Sequence, residues 1–243
     1  VSAAVRFPDA AGDASRQGGR IVMDRFVDRA DAGRRLAAAL RGYAGQADLV
    51  VLALPRGGVP VAYPVARALR APLDVLVVRK LGVPFEPELA MGAIATGGAT
   101  YLQRSVIQAT GVTDAQLAEV IERETAELHR RELLYRSGWP PVPVAGRTAI
   151  VIDDGVATGA TMRVALQALR EQHPARVIAA APVAPCGVQR KFDDVADAFV
   201  AILHPLSFFG ISQFYENFDQ TSDDEVRTLL DAARGEPGAA APG

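Results

Sequence analysis

Alternating strand and helix signals predict an α/β chain, with a central, mostly parallel sheet flanked by helices. Three observations carry this expectation. Short apolar runs recur along the chain, and helix-period apolar positions separate them. The runs also lack polar alternation, as strands covered on both faces require.

The elements follow in order. Leu36, Leu40 and Tyr43 mark a first helical stripe, and Leu49 to Leu54 forms an unbroken apolar strand. Val61, Val65 and Leu69 set a second helix, in which Pro64 should impose a kink or delay the start. Val75 to Val78 reads as the second strand, and Leu81 to about Thr100 is dominated by Gly, Pro and Ala. Thr113 and Gln116 match a capping box, opening a helix that extends to about Tyr135 with Leu117, Val120, Ile121 and Leu128 on one face. Its charged face (Glu119, Glu122, Arg123, Glu127, Arg130, Arg131) reads as a solvated surface. Ala149 to Ile152, Val177 to Ala180 and Ala198 to Ile202 complete the strands. Met162, Ala165, Leu166 and Leu169 form the helix after the first of these. Ser222 to Glu225 caps a last helix carrying Val226, Leu229 and Leu230.

The 243 residues are 49% hydrophobic and 22% charged, enough apolar material for a large core. Tails at 1–19 and 235–243, rich in Ala and Gly, leave 20–234 as one domain. With 26 basic and 28 acidic side chains the formal charge is −2, which points away from a nucleic-acid surface or a polybasic membrane patch. Cys186 is the sole cysteine, so an internal disulfide and a Cys-based zinc site are excluded. No apolar run reaches the ~18 residues of a membrane span. The start of the chain also lacks a basic region followed by an apolar block, so a cytoplasmic location is expected.

The most specific segment runs from Val151 to Thr161. Four apolar residues end in Asp153 and Asp154, and Gly155-Val156-Ala157-Thr158-Gly159-Ala160-Thr161 then opens a helix. Backbone N–H groups at such a turn form an anion nest, reinforced by the helix dipole. The two carboxylates suit sugar hydroxyls, with Mg²⁺ nearby easing the like charges. A phosphorylated ribose satisfies both halves. Two further segments follow strands. Pro55-Arg56-Gly57-Gly58-Val59 offers a fixed cation and bare N–H groups suited to pyrophosphate. Val78-Arg79-Lys80-Leu81-Gly82 puts two cations at the carboxyl edge of a strand, where open α/β sheets bind ligands.

The Val151–Thr161 segment resembles the 5-phosphoribosyl-1-pyrophosphate (PRPP) signature of type I phosphoribosyltransferases, and the others fall in the family's order around it. The resemblance implies that Asp153 and Asp154 bind the ribose hydroxyls and touch the metal only through ribose or water. It implies a 5′-phosphate loop from Ala157 to Thr161, continuous with Gly155 and Val156. Arg56, Gly57, Gly58, Arg79 and Lys80 correspond to pyrophosphate-binding positions, and Val83 replaces a further lysine of the adenine enzymes. Residues 81–100 then correspond to a mobile loop closing over the reaction centre. The run from Pro87 to Ala93 is most similar to members without an assigned acceptor.

The resemblance also implies a small hood from the chain ends, here mainly 204–220, covering the acceptor base. Five aromatics fall between 208 and 218, and Phe208, Phe209, Phe214 and Tyr215 are the candidates for stacking on it. Enzymes for 6-oxopurines usually carry aspartate where this chain has Ala157, so those acceptors are disfavoured. The expected activity is transfer of the phosphoribosyl group from PRPP to a nitrogenous base or other amine, with Mg²⁺ as cofactor and a homodimer as the assembly. Asp153, Asp154, Arg79 and Lys80 are the expected catalytic groups. A silent PRPP- or nucleotide-sensing protein is the alternative, and a metal-dependent phosphatase or hydrolase a weaker one.

Overall fold

The computed structural model describes residues 25–235, so the two tails lie outside the described residues apart from Gly235. In chain order the elements are α1 (Arg29–Ala39), β1 (Leu49–Ala53), α2 (Gly58–Leu69), β2 (Leu73–Val75), β3 (Val78–Val83), β4 (Glu86–Ala95) and β5 (Ala99–Leu102). There follow α3 (Arg104–Thr110), α4 (Asp114–Arg136), β6 (Thr148–Ile152), α5 (Ala160–Arg170), β7 (Arg176–Val183), β8 (Ala198–Leu203) and α6 (Asp223–Arg234).

Five parallel strands form the central sheet in the order β2-β1-β6-β7-β8. Both faces are covered, which explains the unbroken apolar runs. Leu49, Val51 and Ala53 pack with Ile150 and Ile152 against the α1–α2 side. Val50 and Leu52 join Ala149 and Val151 against α5 on the other. The strand order reverses direction at β1, which has β2 on one side and β6 on the other. Open α/β sheets bind ligands beyond the carboxyl ends of the strands at such a switch point. Ala53 pairs with Ile152, and the Leu54 N–H donates to the Ile152 carbonyl at 2.9 Å. The loops after β1 and β6 therefore emerge side by side.

Three expectations need correction. Pro64 neither delays nor breaks α2, which starts at Gly58 and runs to Leu69. A side chain at Gly33 of α1 would meet Pro64 Cγ at 2.4 Å, so the ring fills the space left by a bare backbone on the facing helix. The strand expected over Val75–Val78 is split. Leu76 still donates to Ala53, but Val77 turns its N–H to Thr96 Oγ1, and the chain leaves the parallel sheet there. Finally, Leu81–Thr100 is not an irregular loop. It belongs largely to an antiparallel sheet ordered β3-β4-β5. Met91 to Ala95 are buried, and buried backbone must pair its polar groups, so this half is forced into strand. The outer half, Glu86–Leu89, is exposed, and Phe85 projects at the hairpin tip.

The capping box of α4 forms as read: the Gln116 N–H donates to Thr113 Oγ1, while the Thr113 N–H donates to the Gln116 side chain. The charged face from Glu119 to Arg131 is exposed or half-exposed as expected, but two other charged residues of α4, Glu124 and Arg136, are buried. Arg136 bonds both oxygens of buried Asp74 (3.0 and 3.2 Å), Glu132 (2.8 Å) and the Val75 carbonyl (2.9 Å). Asp74 in turn accepts the N–H groups of Val75 and Val142. One charged cluster thereby ties α4 to β2 where the main chain changes sheets.

The start of the described chain meets the segment that precedes α6. Phe26 pairs with Tyr215 through backbone bonds to Phe214 and Glu216, both 2.8 Å. Phe26, Ala32, Val183, Phe214 and Tyr215 form a separate small core above the sheet edge. No helix among the described residues is long and apolar enough to cross a membrane.

Candidate functional site

The site is built from the loops after β1 and β6, with the small aromatic core as its roof. Gly57 and Asp154 lie so close that a Cβ on Gly57 would sit 2.1 Å from Asp154 Oδ2. The Arg-Gly-Gly loop and the acidic pair are therefore one structure, as the shared crevice predicts. The Pro55–Arg56 peptide is cis.

Asp153 is only partly accessible, and its carboxylate accepts the Asp154 N–H at 2.9 Å. Burial first, and the charge of Asp154 second, push its carboxyl up to about 8. Asp154 is buried and also raised by burial, against the opposing pull of Arg29. Arg29 Nε lies 2.9 Å from Asp154 Oδ2, each side chain 12% exposed. The same guanidinium donates to the Asp219 carbonyl at 2.7 Å and stacks 3.9 Å from the Phe218 ring centre. This residue at the start of α1 was missed from sequence. An arginine 125 positions from its partner leaves no local trace.

Beyond the acids, the backbone bends through Gly159 at φ 81° and enters α5 at Ala160. The Val156 N–H is taken by the Val183 carbonyl, and Ala160 donates to Thr158 Oγ1. Among the described residues no other backbone carbonyl takes up the N–H groups of Ala157, Thr158 or Gly159. With the first turn of α5 they present a run of N–H donors of the kind that suits an anion. Thr158 and Thr161 are exposed beside it. Lys191 reaches the same loop, donating to the Thr158 carbonyl at 2.8 Å, and so adds a cation that sequence reading did not find.

Arg79 and Lys80 lie within β3 rather than at the end of a central strand. Arg79 forks onto Glu124 of α4 at 2.9 and 2.6 Å, which holds the Glu124 carboxyl below its ordinary range despite burial. Lys80 pairs with Glu88 across the hairpin at 3.2 Å. The cation acting on the acidic pair is Arg29, not Arg79 or Lys80. Arg56 is half-exposed, 3.9 Å from Asp223 of α6.

The stacking candidates divide. Phe214 and Tyr215 are buried at 4% and 1%, which corrects their expected role as acceptor surfaces. Tyr215 is wedged between Phe26 and Phe218, with ring centres 5.3 and 4.9 Å away. Its hydroxyl donates to the Asp154 carbonyl at 2.6 Å, and burial with the adjacent charge raises its pKa. An aromatic both enclosed and hydrogen-bonded supports the site rather than lining it. Phe208 is half-buried against Phe214, whereas Phe209 is 93% exposed. Ile211 covers Gly155 so tightly that a Cβ there would lie 2.6 Å from Ile211 Cγ2. The aromatic roof is thus seated directly on the acidic loop.

The acidic pair thus sits between two glycine-containing turns, and comparison with known proteins gives the chain a family. Residues 24–214 match the model of the phosphoribosyl transferase domain. The chain belongs to the phosphoribosyl transferase family. Two Mycobacterium tuberculosis proteins (strains CDC 1551 / Oshkosh and H37Rv), provisionally named as phosphoribosyl transferases, are 48% identical to it over 211 residues. That alignment takes in 87% of this chain and 47% of each relative, so the chain spans about half the length of the curated relatives it matches. The crystal structure of TT1426 from Thermus thermophilus is similar with a TM-score of 0.76 and 39% identity, covering 85% of this chain and 97% of that one.

The described residues of this phosphoribosyl transferase domain offer Mg²⁺ no protein cage. Among the described residues no cluster of three or more His, Cys, Asp or Glu could hold a metal ion. Mg²⁺ keeps several waters and often rides on substrate phosphates. Asp153 and Asp154 can therefore meet it through ribose or water, not as a protein cage.

Proposed function

We propose that this domain transfers the 5-phosphoribosyl group of PRPP to a nitrogen nucleophile and releases pyrophosphate. The observation that supports it is the contact between Gly57 and Asp154, which joins the pyrophosphate loop to the ribose carboxylates. In this reading the 5′-phosphate lies on Ala157–Thr161, near Lys191, and the ribose hydroxyls donate to Asp153 and Asp154. Arg29 holds Asp154 in place, and Arg56, Gly57 and Gly58 face the pyrophosphate. The C1′–O bond to pyrophosphate breaks with its electron pair leaving on oxygen, the C1′–N bond forms, and the acceptor nitrogen gives its proton to solvent. The protein contributes positioning and fixed charge rather than a covalent intermediate. When bound on the substrate phosphates, Mg²⁺ would supply positive charge for the pyrophosphate, with Asp153 and Asp154 meeting it only through ribose or water.

Arg79 and Lys80 take part only by exchanging Glu124 and Glu88 for substrate oxygens, which links substrate entry to the β3–β4 hairpin. Phe208 and Phe209, with accessible faces, are the candidates for the acceptor base. Ala157 supplies no carboxylate to a purine ring nitrogen, so 6-oxopurines are disfavoured. We place the protein in the cytoplasm as a homodimer. The engagement of Arg79 by Glu124 favours one second reading, a PRPP- or nucleotide-sensing protein that does not turn over.

The test is pyrophosphate release from PRPP and Mg²⁺ across a panel of bases and amines, with Asp154→Asn as control. Acceptor-dependent release, abolished in Asp154→Asn, is expected. PRPP binding lost in Asp154→Asn without turnover on any acceptor would establish the sensor instead. Release without acceptor would identify a hydrolase.

A further inference from the structure

Beyond the ribose cradle, on the outer side of the pyrophosphate loop, the structure forms a polar recess of about 420 Å³. Pro55 and Arg56 make one wall, Arg130 and Arg131 of α4 the other, and Tyr135 with Asp223 close it. Helical spacing alone gave the α4 arginines no role there. They reach Arg56 because α4 packs across β3 and against α6.

Glu127 holds both α4 arginines. It accepts Arg130 Nε and Nη2 at 2.8 and 3.0 Å, and Arg131 Nε at 2.8 Å. Those bonds leave other N–H groups of both guanidinium forks for an anion. The two forks are 63% and 38% exposed, and the Arg56 side chain 39%. Across the recess, Asp223 accepts the Tyr135 hydroxyl at 3.0 Å, a bond it can keep while Arg56, at 3.9 Å, turns away. Three guanidinium groups thus face two carboxylates, leaving net positive charge. Guanidinium forks suit phosphate oxygens by shape as well as charge.

We propose that this recess is an anion subsite for a diphosphate, bridged between Arg56 and the Arg130–Arg131 pair and distinct from the 5′-phosphate loop. In the phosphoribosyl-transfer reading it receives the pyrophosphate as it leaves, so α4 contributes to product holding. The subsite itself depends only on the arginine geometry, and its ligand can be inorganic pyrophosphate or the diphosphate of a nucleotide.

The experiment is calorimetric titration of the full chain with inorganic pyrophosphate, in parallel with ribose 5-phosphate as a probe of the other half. Arg130→Gln/Arg131→Gln should weaken pyrophosphate about tenfold or more, by loss of charge-assisted bonds, and leave ribose 5-phosphate unchanged. Glu127→Gln should tighten pyrophosphate, because it removes a competing carboxylate. Circular dichroism and thermal melting check that each variant is folded; should the double variant fail to fold, Arg131→Gln and Glu127→Gln carry the same comparison. Unchanged pyrophosphate affinity in the arginine variants, or equal weakening of both ligands, overturns the proposal. A nucleoside diphosphate that binds more tightly than pyrophosphate and shows the same arginine dependence supports the subsite and identifies the ligand source. Failure of the transfer reading shows separately, as absence of acceptor-dependent turnover, and leaves these binding results standing.

Discussion

Replacing Arg29 by methionine isolates the charge that stabilises the acidic pair while keeping an apolar stem in its place. The substitution removes the 2.9 Å ion pair with Asp154, the 2.7 Å bond to the Asp219 carbonyl and the 3.9 Å stack on Phe218. Breaking one side of a buried pair costs about 3–5 kcal/mol when the partner stays charged. Asp154 can avoid part of that by taking a proton, since burial already raises its pKa against the pull of Arg29. Without Arg29 its pKa rises further, at about 1.4 kcal/mol per unit. The sign follows from linkage. An acid whose folded pKa is raised binds more protons folded than unfolded, so stability is highest at low pH and falls as pH climbs from the unfolded to the folded value. Asp153, pushed to about 8, already imposes such a fall between about pH 4 and 8. Arg29→Met should steepen it, with about 3 kcal/mol lost at pH 8 and about 1 kcal/mol at pH 5, where only the hydrogen bond and the ring contact are missing. Urea denaturation of both proteins at the two pH values measures this. Adding Asp154→Asn to Arg29→Met should recover stability at pH 8. An equal loss at both pH values, or a further loss in the double variant, would refute the argument.

Other outcomes follow from the same geometry. Gly57→Ala drives a Cβ into the Asp154 carboxylate and should weaken PRPP binding by at least about tenfold, whereas Gly42→Ala, with nothing within 4 Å, should bind normally; titration of both variants tests the contrast. PRPP affinity should rise from pH 6 to 8 by at most about tenfold per unit, because hydroxyl donors and a substrate-borne cation favour the ionised form of Asp153, whose carboxyl burial and the neighbouring Asp154 charge push up. Proton release, seen by calorimetry in buffers of different ionisation enthalpy, checks it; affinity that is flat with pH counts against the ribose role. Arg136→Leu strands buried Asp74 and should cost about 3–5 kcal/mol in urea denaturation, and Asp74→Leu in that background should return much of it.

The central sheet was largely legible because its strands are covered on both faces, and composition alone reports such burial. The strand, acidic turn and helix start of the Val151–Thr161 segment were legible for a different reason: they are neighbours in the chain. The capping signals at Thr113 and Ser222 are equally local: the first forms a full box, and at the second the Ser222 hydroxyl accepts the Glu225 N–H. What failed depended on partners. Val75–Val78 looks like one strand until Val77 meets Thr96, 19 residues away, and changes sheets. The Gly- and Pro-rich stretch after Leu81 is strand because its inner half is buried, which no local propensity reveals. Phe214 and Tyr215 resemble Phe209 in sequence and differ only in being covered.

The sequence by itself determined the local pieces: two carboxylates and a glycine-containing turn after one strand, an arginine-glycine turn after another, and a sheet able to hold them. Tertiary structure decided which charges meet. It set Arg29 on Asp154, turned Arg79 to Glu124, carried Lys191 to the Thr158 carbonyl, and put Arg130 and Arg131 in one recess with Arg56. Electrostatic contacts act over a few ångströms between residues tens to more than a hundred positions apart, and only the folded chain fixes those distances.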